Sequence, residues 1–364
     1  MTRDPHHLLP GPEPVTLIDP QGRSVDSPTY SPPAGEALVR ALGELTIARR
    51  LNDQAYALVR QGRLAVYPSS HGQEACQVAA AQVLADEDWL FPTYRDTVAA
   101  VCRGVDPVEV LTLLKGDWHS GYDPYEHKVA PQATPLATQL PHAVGVAHAA
   151  RLRGEPAVVM AMAGDGATSE GDFHEALNFA AVFAAPVVFF VQNNEYAISV
   201  PLSRQSVAPS LAHKGIGYGV PGERVDGNDV AALLAVLGGA VDRARAGEGP
   251  QLIEAHTYRM QAHTNADDAT RYRNDEEVAA WGERDPITRL DTYLRGQGLL
   301  SDARVAEFAA EAERVAAHVR EGLSRDVEPD PAQLFAHVYT KPTAQLVEQA
   351  ALVADELSRE GAHQ

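Results

Sequence analysis

Cysteine is scarce: Cys76 and Cys102 are the only two in 364 residues. Two thiols cannot staple a chain of this length, so a disulfide-framed fold is excluded and a reducing compartment is implied. Long apolar runs are missing as well. The most apolar stretch, Phe179 to Val191, is broken by Pro186 and falls short of the ~20 residues a membrane span needs. The opening residues, Met-Thr-Arg-Asp-Pro-His-His, carry no apolar signal-peptide core. Basic residues are outnumbered, 30 Lys and Arg against 49 Asp and Glu, for a formal charge of −19. A surface this acidic repels phosphate backbones, which argues against nucleic acid as the main partner. Aromatics make up 6% of a chain that is 45% hydrophobic and 22% charged, a globular composition that fits neither a coiled coil nor a disordered segment. The expectation is a cytoplasmic protein with no membrane partner.

Periodicity divides the chain into three parts. Residues 1–34 are proline-rich and aperiodic, and are expected to form an extended N-terminal arm, either mobile or lying on a partner. From Glu36 to Gln61, Leu38, Leu42, Leu45, Leu51 and Leu58 follow helical spacing, and Gly62 stops the run. The body, 35–328, then alternates. Helical patterns near 137–153, 171–184 and 229–245 are each followed by a short apolar run: Ala157–Ala163, Val187–Val191 and Leu252–His256. Such runs between helices predict parallel strands buried on both faces, hence an α/β fold with about six strands and flanking helices. Past the break at Glu328–Pro331, residues 329–364 are expected to form a helical tail opened by Pro342, folded back or embracing another subunit.

The first of these strands ends in Gly164-Asp165-Gly166 and the second in Gln192-Asn193-Asn194, with 26 positions, 167 to 192, between Gly166 and Asn193. That is the length of one helical crossover, so both segments emerge at the carboxyl ends of neighbouring parallel strands, where open sheets bind ligands. Asp165 and Asn194 offer hard oxygens that suit Mg²⁺, an ion that takes its remaining ligands from phosphates and water. Glycines beside Asp165 let backbone approach a diphosphate, and the helix starting near Gly171 adds a positive end.

The two tripeptides at this spacing resemble the thiamine diphosphate motif. Residues 164–201, together with Pro135-Leu-Ala-Thr-Gln139, Arg224-Val-Asp-Gly-Asn-Asp229, Thr257-Tyr-Arg259, Tyr272-Arg273 and Pro342-Thr-Ala-Gln-Leu346, resemble the alpha subunits of branched-chain 2-oxoacid dehydrogenases from about 36 to 357. The resemblance implies a thiamine diphosphate-binding fold and a heterotetramer of two alpha and two beta chains. The beta chain would supply the glutamate that activates the cofactor. The reaction implied is oxidative decarboxylation of a branched-chain 2-oxoacid, with the acyl group passed to the lipoyl group of a dihydrolipoyl acyltransferase. Pyruvate is the other substrate the resemblance admits, and a non-catalytic scaffold subunit the other role.

The resemblance also implies roles for individual residues. Asp165, Asn194 and the Tyr196 carbonyl would hold Mg²⁺. Gly164, Gly166, Ala167, Thr134 and Ile198 would lie against the cofactor, with Tyr94 and Arg95 at its phosphate end. Leu136 would wedge its rings into a bent arrangement. His263 would border the active site and assist acyl transfer, a role histidine suits near neutral pH. His119 would line the substrate channel. Gln192 stands where animal members carry arginine, removing one phosphate-binding charge. A potassium ion bound in animal members finds Ala133 and Thr134 in place of two serines, with Thr138 and Gln139 retained. Thr264 matches a regulatory phosphoserine, and no such switch is expected here.

Overall fold

The structure is a computed structural model describing residues 8–116, 121–325 and 330–361. It divides into two compact units, Met1–Leu323 and Ser324–Gln364. In the first, strands β1 (Trp89–Phe91), β2 (Val159–Gly164), β3 (Val187–Asn193), β6 (Gly222–Asp226) and β7 (Gln251–His256) form one sheet, and β4 (Tyr196–Ala197) pairs with β5 (Val200–Pro201) as a small hairpin. The sheet order is β1-β2-β3-β7-β6 and every pairing is parallel. Among the described residues the sheet has five strands, in keeping with the parallel sheet of about six expected.

The central strands carry no charge over most of their length because helices cover both faces. Met160, Met162, Val188, Phe190 and Ile253 face one core, shared with the helices Gly35–Arg60, Glu74–Gln82 and Val230–Arg243. Val159, Ala161, Val187, Phe189, Val191 and Leu252 face the other, against Gln139–Arg153 and Gly171–Phe183. Period-2 alternation with apolar groups on both sides is how a doubly covered parallel strand reads. The crossover helix Gly171–Phe183 joins β2 to β3, and their register pairs Gly164 with Gln192. Asp165 and Asn194 therefore leave the same sheet edge side by side.

Within the described residues, the N-terminal segment lies against this chain's own sheet. Val15 bridges Val225 in β6, and Leu17 and Ile18 are buried. Asp229 holds it in place. Its Oδ1 caps the helix Val230–Arg243 at Ala231 and Ala232, while Oδ2 accepts the N–H groups of Leu17 and Ile18 at 2.6 and 2.7 Å. Arg289, 2% exposed, donates to the Ile18 carbonyl and to Asp226 Oδ2. Removing one partner of a buried ion pair leaves an uncompensated charge, so Arg289→Ala is expected to destabilise the fold by roughly 3–5 kcal/mol. The urea unfolding midpoint checks this.

The second unit contains the short helix Gln333–Ala336 and the helix Ala344–Gly361, on which Val347, Leu352 and Leu357 are exposed. Among the described residues no helix is long and apolar enough to cross a membrane.

Candidate active site

A cavity of about 370 Å³ opens at the carboxyl edge of the sheet, over the ends of β2 and β3. Gly164, Asp165, Gly166 and Ala167 line it from the β2 end; Asn194, Tyr196 and Ile198 line it from the loop after β3. Tyr94, Arg95, Leu136 and His263 complete the set of expected residues that it gathers. Thr134 is exposed and does not line the cavity, and His119 lies outside the described residues.

Asp165 is 1% exposed. Burial pushes its carboxyl above the usual range, partly offset by the Gln205 amide, which donates to Oδ2 at 2.6 Å. The Asn194 amide oxygen sits 3.3 Å from Asp165 Oδ1 and 3.0 Å from the Tyr196 carbonyl oxygen. Apart from a long hydrogen bond from the Tyr196 N–H, 3.3 Å away, the Asn194 oxygen faces two other acceptors, and an amide free to turn over would let its nitrogen donate to them. A cation among them removes that conflict. Six oxygens at the octahedral Mg²⁺ distance of about 2.1 Å are separated along each edge by about 3.0 Å. One carboxylate, one amide and one carbonyl is also the hard donor set that such an ion takes. The residues present fit the ion.

Two backbone features aim these oxygens. At Gly166 an added Cβ would lie 2.7 Å from the Ala197 Cβ, so only glycine lets the β2 turn meet the hairpin. In the hairpin Glu195 and Ile198 have φ of 73° and 55°. A β-branched residue in the left-handed region is strained and persists only where its surroundings hold it. Arg259, 1% exposed, does so: it donates to the Tyr196 carbonyl at 3.0 Å, the Ile198 carbonyl at 2.7 Å and the Tyr272 hydroxyl at 3.0 Å. Its position in Thr257-Tyr-Arg259 is visible in the sequence; its clamp on a loop sixty residues away is not.

Arg95 is buried and, among the described residues, forms no ion pair with a carboxylate. Its guanidinium donates to the Ser69 carbonyl at 2.9 Å and to His263 Nδ1 and carbonyl oxygen, each at 3.1 Å. A buried cation facing a cavity without a counter-charge is suited to an anionic ligand such as a diphosphate. Because a guanidinium only donates, His263 Nδ1 accepts and the ring proton sits on Nε2. Burial first, then the charges of Arg95 and Arg259, bring the His263 pKa from 6.5 to about 4. The imidazole is thereby held neutral in the cofactor-free chain, with its Nε2–H as the hydrogen-bond donor.

Between pH 6.5 and about 4 an unfolded His263 takes a proton that the folded one refuses, so this residue makes the fold lose stability as pH falls through that window. Arg95→Met is expected to return the His263 titration toward 6.5. A pH titration of its ring resonance by NMR checks this.

The 259–275 segment is tied to the site. Asp267 Oδ2 accepts from the His263 N–H at 2.8 Å and from the Tyr272 hydroxyl at 2.5 Å. Sequence reasoning missed Gln73, Asp96 and Gln205, which also line the cavity. Gln73 is brought there because Gly72, at φ +97°, passes the Tyr258 carbonyl so closely that a Cβ would sit 2.1 Å from it. Nothing in the spacing of these residues marks them.

A family profile described as "Dehydrogenase E1 component" matches residues 43–330. The chain is 48% identical over 348 residues to the 3-methyl-2-oxobutanoate dehydrogenase subunit alpha of Mycobacterium tuberculosis (strain CDC 1551 / Oshkosh), covering 95% of each chain. It is 40% identical over 297 residues to the pyruvate dehydrogenase E1 component subunit alpha of Staphylococcus aureus (strain Mu50 / ATCC 700699), 81% of this chain and 80% of that one. With a match of that extent and relatives of that likeness, the chain belongs to the family of dehydrogenase E1 components.

Proposed function

We propose that the chain is the alpha subunit of a thiamine diphosphate- and Mg²⁺-dependent dehydrogenase that decarboxylates branched-chain 2-oxoacids and passes the acyl group to a lipoylated acyltransferase. The observation that carries this reading is the convergence of the Asp165, Asn194 and Tyr196 oxygens in one cavity with the Arg95 guanidinium, which has no carboxylate partner among the described residues. The identity to the 3-methyl-2-oxobutanoate enzyme supports the substrate class. The pyruvate-dehydrogenase relative, at 40% identity, makes pyruvate the second reading.

Asp165, Asn194 and Tyr196 would hold the ion, and Arg95 and His263 Nε2–H would face the diphosphate. Bound thiamine diphosphate supplies the carbanion chemistry for decarboxylation. The residues of this chain orient and neutralise. Arg95 positions the imidazole through Nδ1 and leaves Nε2–H free to donate, while Gly166 and Ala167 bring backbone against the ligand. Leu136 and Ile198 line the cavity yet are 43% and 55% exposed. Large apolar groups left open at a site mouth support a second chain closing over them, here the beta subunit of an assembly with two of each chain. For potassium the support is one atom, the buried Gln139 Oε1, which has no hydrogen-bond partner among the described residues.

The experiment is to assay the chain alone and co-expressed with its beta subunit. Turnover is expected only from the pair, with kcat/KM for 4-methyl-2-oxopentanoate at least roughly tenfold above that for pyruvate, the scale a larger apolar pocket provides. Decarboxylation by the chain alone would overturn the two-chain reading. A preference for pyruvate would overturn the branched-chain one.

A further inference from the structure

The cavity wall behind Asn194 contains a line of side chains that the cation itself does not explain. Asn194 Nδ2 donates to Gln73 Oε1 at 3.1 Å, Gln73 Nε2 to Gln192 Oε1 at 3.1 Å, and Gln192 Nε2 to Asp96 Oδ1 at 2.8 Å. Asp96 Oδ2 is occupied by the Thr93 N–H and hydroxyl, both at 2.7 Å. All four side chains of the line are buried, Asp96 completely. Each amide has one donating and one accepting end, so the orientation of one fixes the next. The line begins at a carboxylate that only accepts, and it ends with the Asn194 oxygen turned toward Asp165 Oδ1 and the Tyr196 carbonyl.

We propose that Asp96, Gln192 and Gln73 form a polarity relay that fixes Asn194 with its oxygen toward the cation before the cation arrives. Gln73 and Gln192 are positioning residues, and their role rests on the cation site proposed above. Without the relay only the long Tyr196 N–H bond to Oδ1 would oppose turnover, and the Asn194 amide could donate to Asp165 and the Tyr196 carbonyl, satisfying those oxygens and opposing the metal. With it, reversal would have to turn three buried amides together and leave the Gln192 oxygen against the Asp96 carboxylate. Gln192 thus acquires a task of its own: it transmits orientation, which a side chain made only of donors at this position would not do in the same way.

The test uses the co-purified two-chain assembly saturated with thiamine diphosphate, and reads Mn²⁺ binding by the loss of the free-ion EPR signal, independently of turnover. Gln73→Met and Gln192→Met are each expected to weaken Mn²⁺ binding roughly five- to tenfold, the scale of one oriented hydrogen bond. In an Asn194→Asp background both ends of the side chain are oxygens and no orientation is needed. There Gln73→Met is expected not to weaken binding, since it removes the Gln73 oxygen that the new carboxylate would face. Equal weakening in both backgrounds would overturn the relay in favour of general packing, and so would no weakening in the parent. Should Gln73→Met not assemble, Gln192→Met carries the same comparison. A parent assembly that binds no Mn²⁺ would overturn the cation site itself, a result distinct from failure of the relay.

Discussion

Asp165→Ala is expected to abolish turnover and to weaken Mg²⁺-dependent retention of thiamine diphosphate by at least roughly 100-fold, more than the loss of a supporting residue around a metal. Asp165 is the only carboxylate of the three converging groups, so its loss leaves two neutral oxygens for a divalent ion. The same substitution site should behave oppositely in the empty enzyme. Burial raises the Asp165 carboxyl, meaning that the cofactor-free fold disfavours the ionised form. Asp165→Asn is therefore expected to melt at higher temperature than the parent without cofactor, and to lose the stabilisation that cofactor and Mg²⁺ give the parent. Thermal unfolding with and without both ligands separates the two effects, and equal ligand stabilisation in parent and Asp165→Asn would remove Asp165 from the metal site.

Arg259→Ala is expected to have the second largest effect, lowering stability by about 3 kcal/mol or more and cofactor affinity at least roughly tenfold. The alanine would leave the Tyr196 and Ile198 carbonyls without their donor and release the left-handed backbone of Ile198. It would also remove one of the two charges that hold down the His263 pKa, so that histidine should titrate higher in the variant. Arg259→Lys keeps the charge but not the fork that reaches two carbonyls, and should fall between parent and alanine. Urea unfolding, cofactor titration and the His263 resonance read these three consequences separately.

The parts of this fold legible in the sequence are those where one physical demand dominates. β2, β3 and β7 are buried on both faces, so their composition alone marks them, and the 26-residue interval between Gly166 and Asn193 placed Asp165 and Asn194 side by side. β6 was missed because it is an edge strand: Gly222-Glu-Arg-Val-Asp226 has one fully buried side chain, Val225, and charges elsewhere. β1 is three residues long and offers no period to read. The N-terminal segment holds to the sheet through single bridges and the Asp229 carboxylate, contacts more than 200 residues apart that leave no local pattern.

Within the site, most of the residues met as motif members line the cavity, Thr134 being an exception, whereas Gln73 and Asp96, which orient others, carried no mark. Gln192 was visible only as a missing positive charge. Its hydrogen bonds to Gln73 and Asp96 depend on a helix and a turn that the sequence places a hundred residues away. His263 lines the cavity, and its proton affinity is lowered by burial and by Arg95 and Arg259, which the fold and not the spacing brings to it.

The most direct measurement is anomalous scattering from crystals of the two-chain assembly grown with thiamine diphosphate and Mn²⁺. The account predicts one manganese peak about 2.1 Å from Asp165 Oδ1, Asn194 Oδ1 and the Tyr196 carbonyl oxygen, with diphosphate oxygens completing the shell. A manganese held elsewhere, or a diphosphate bound in this cavity without Asp165 among the ligands, would contradict it.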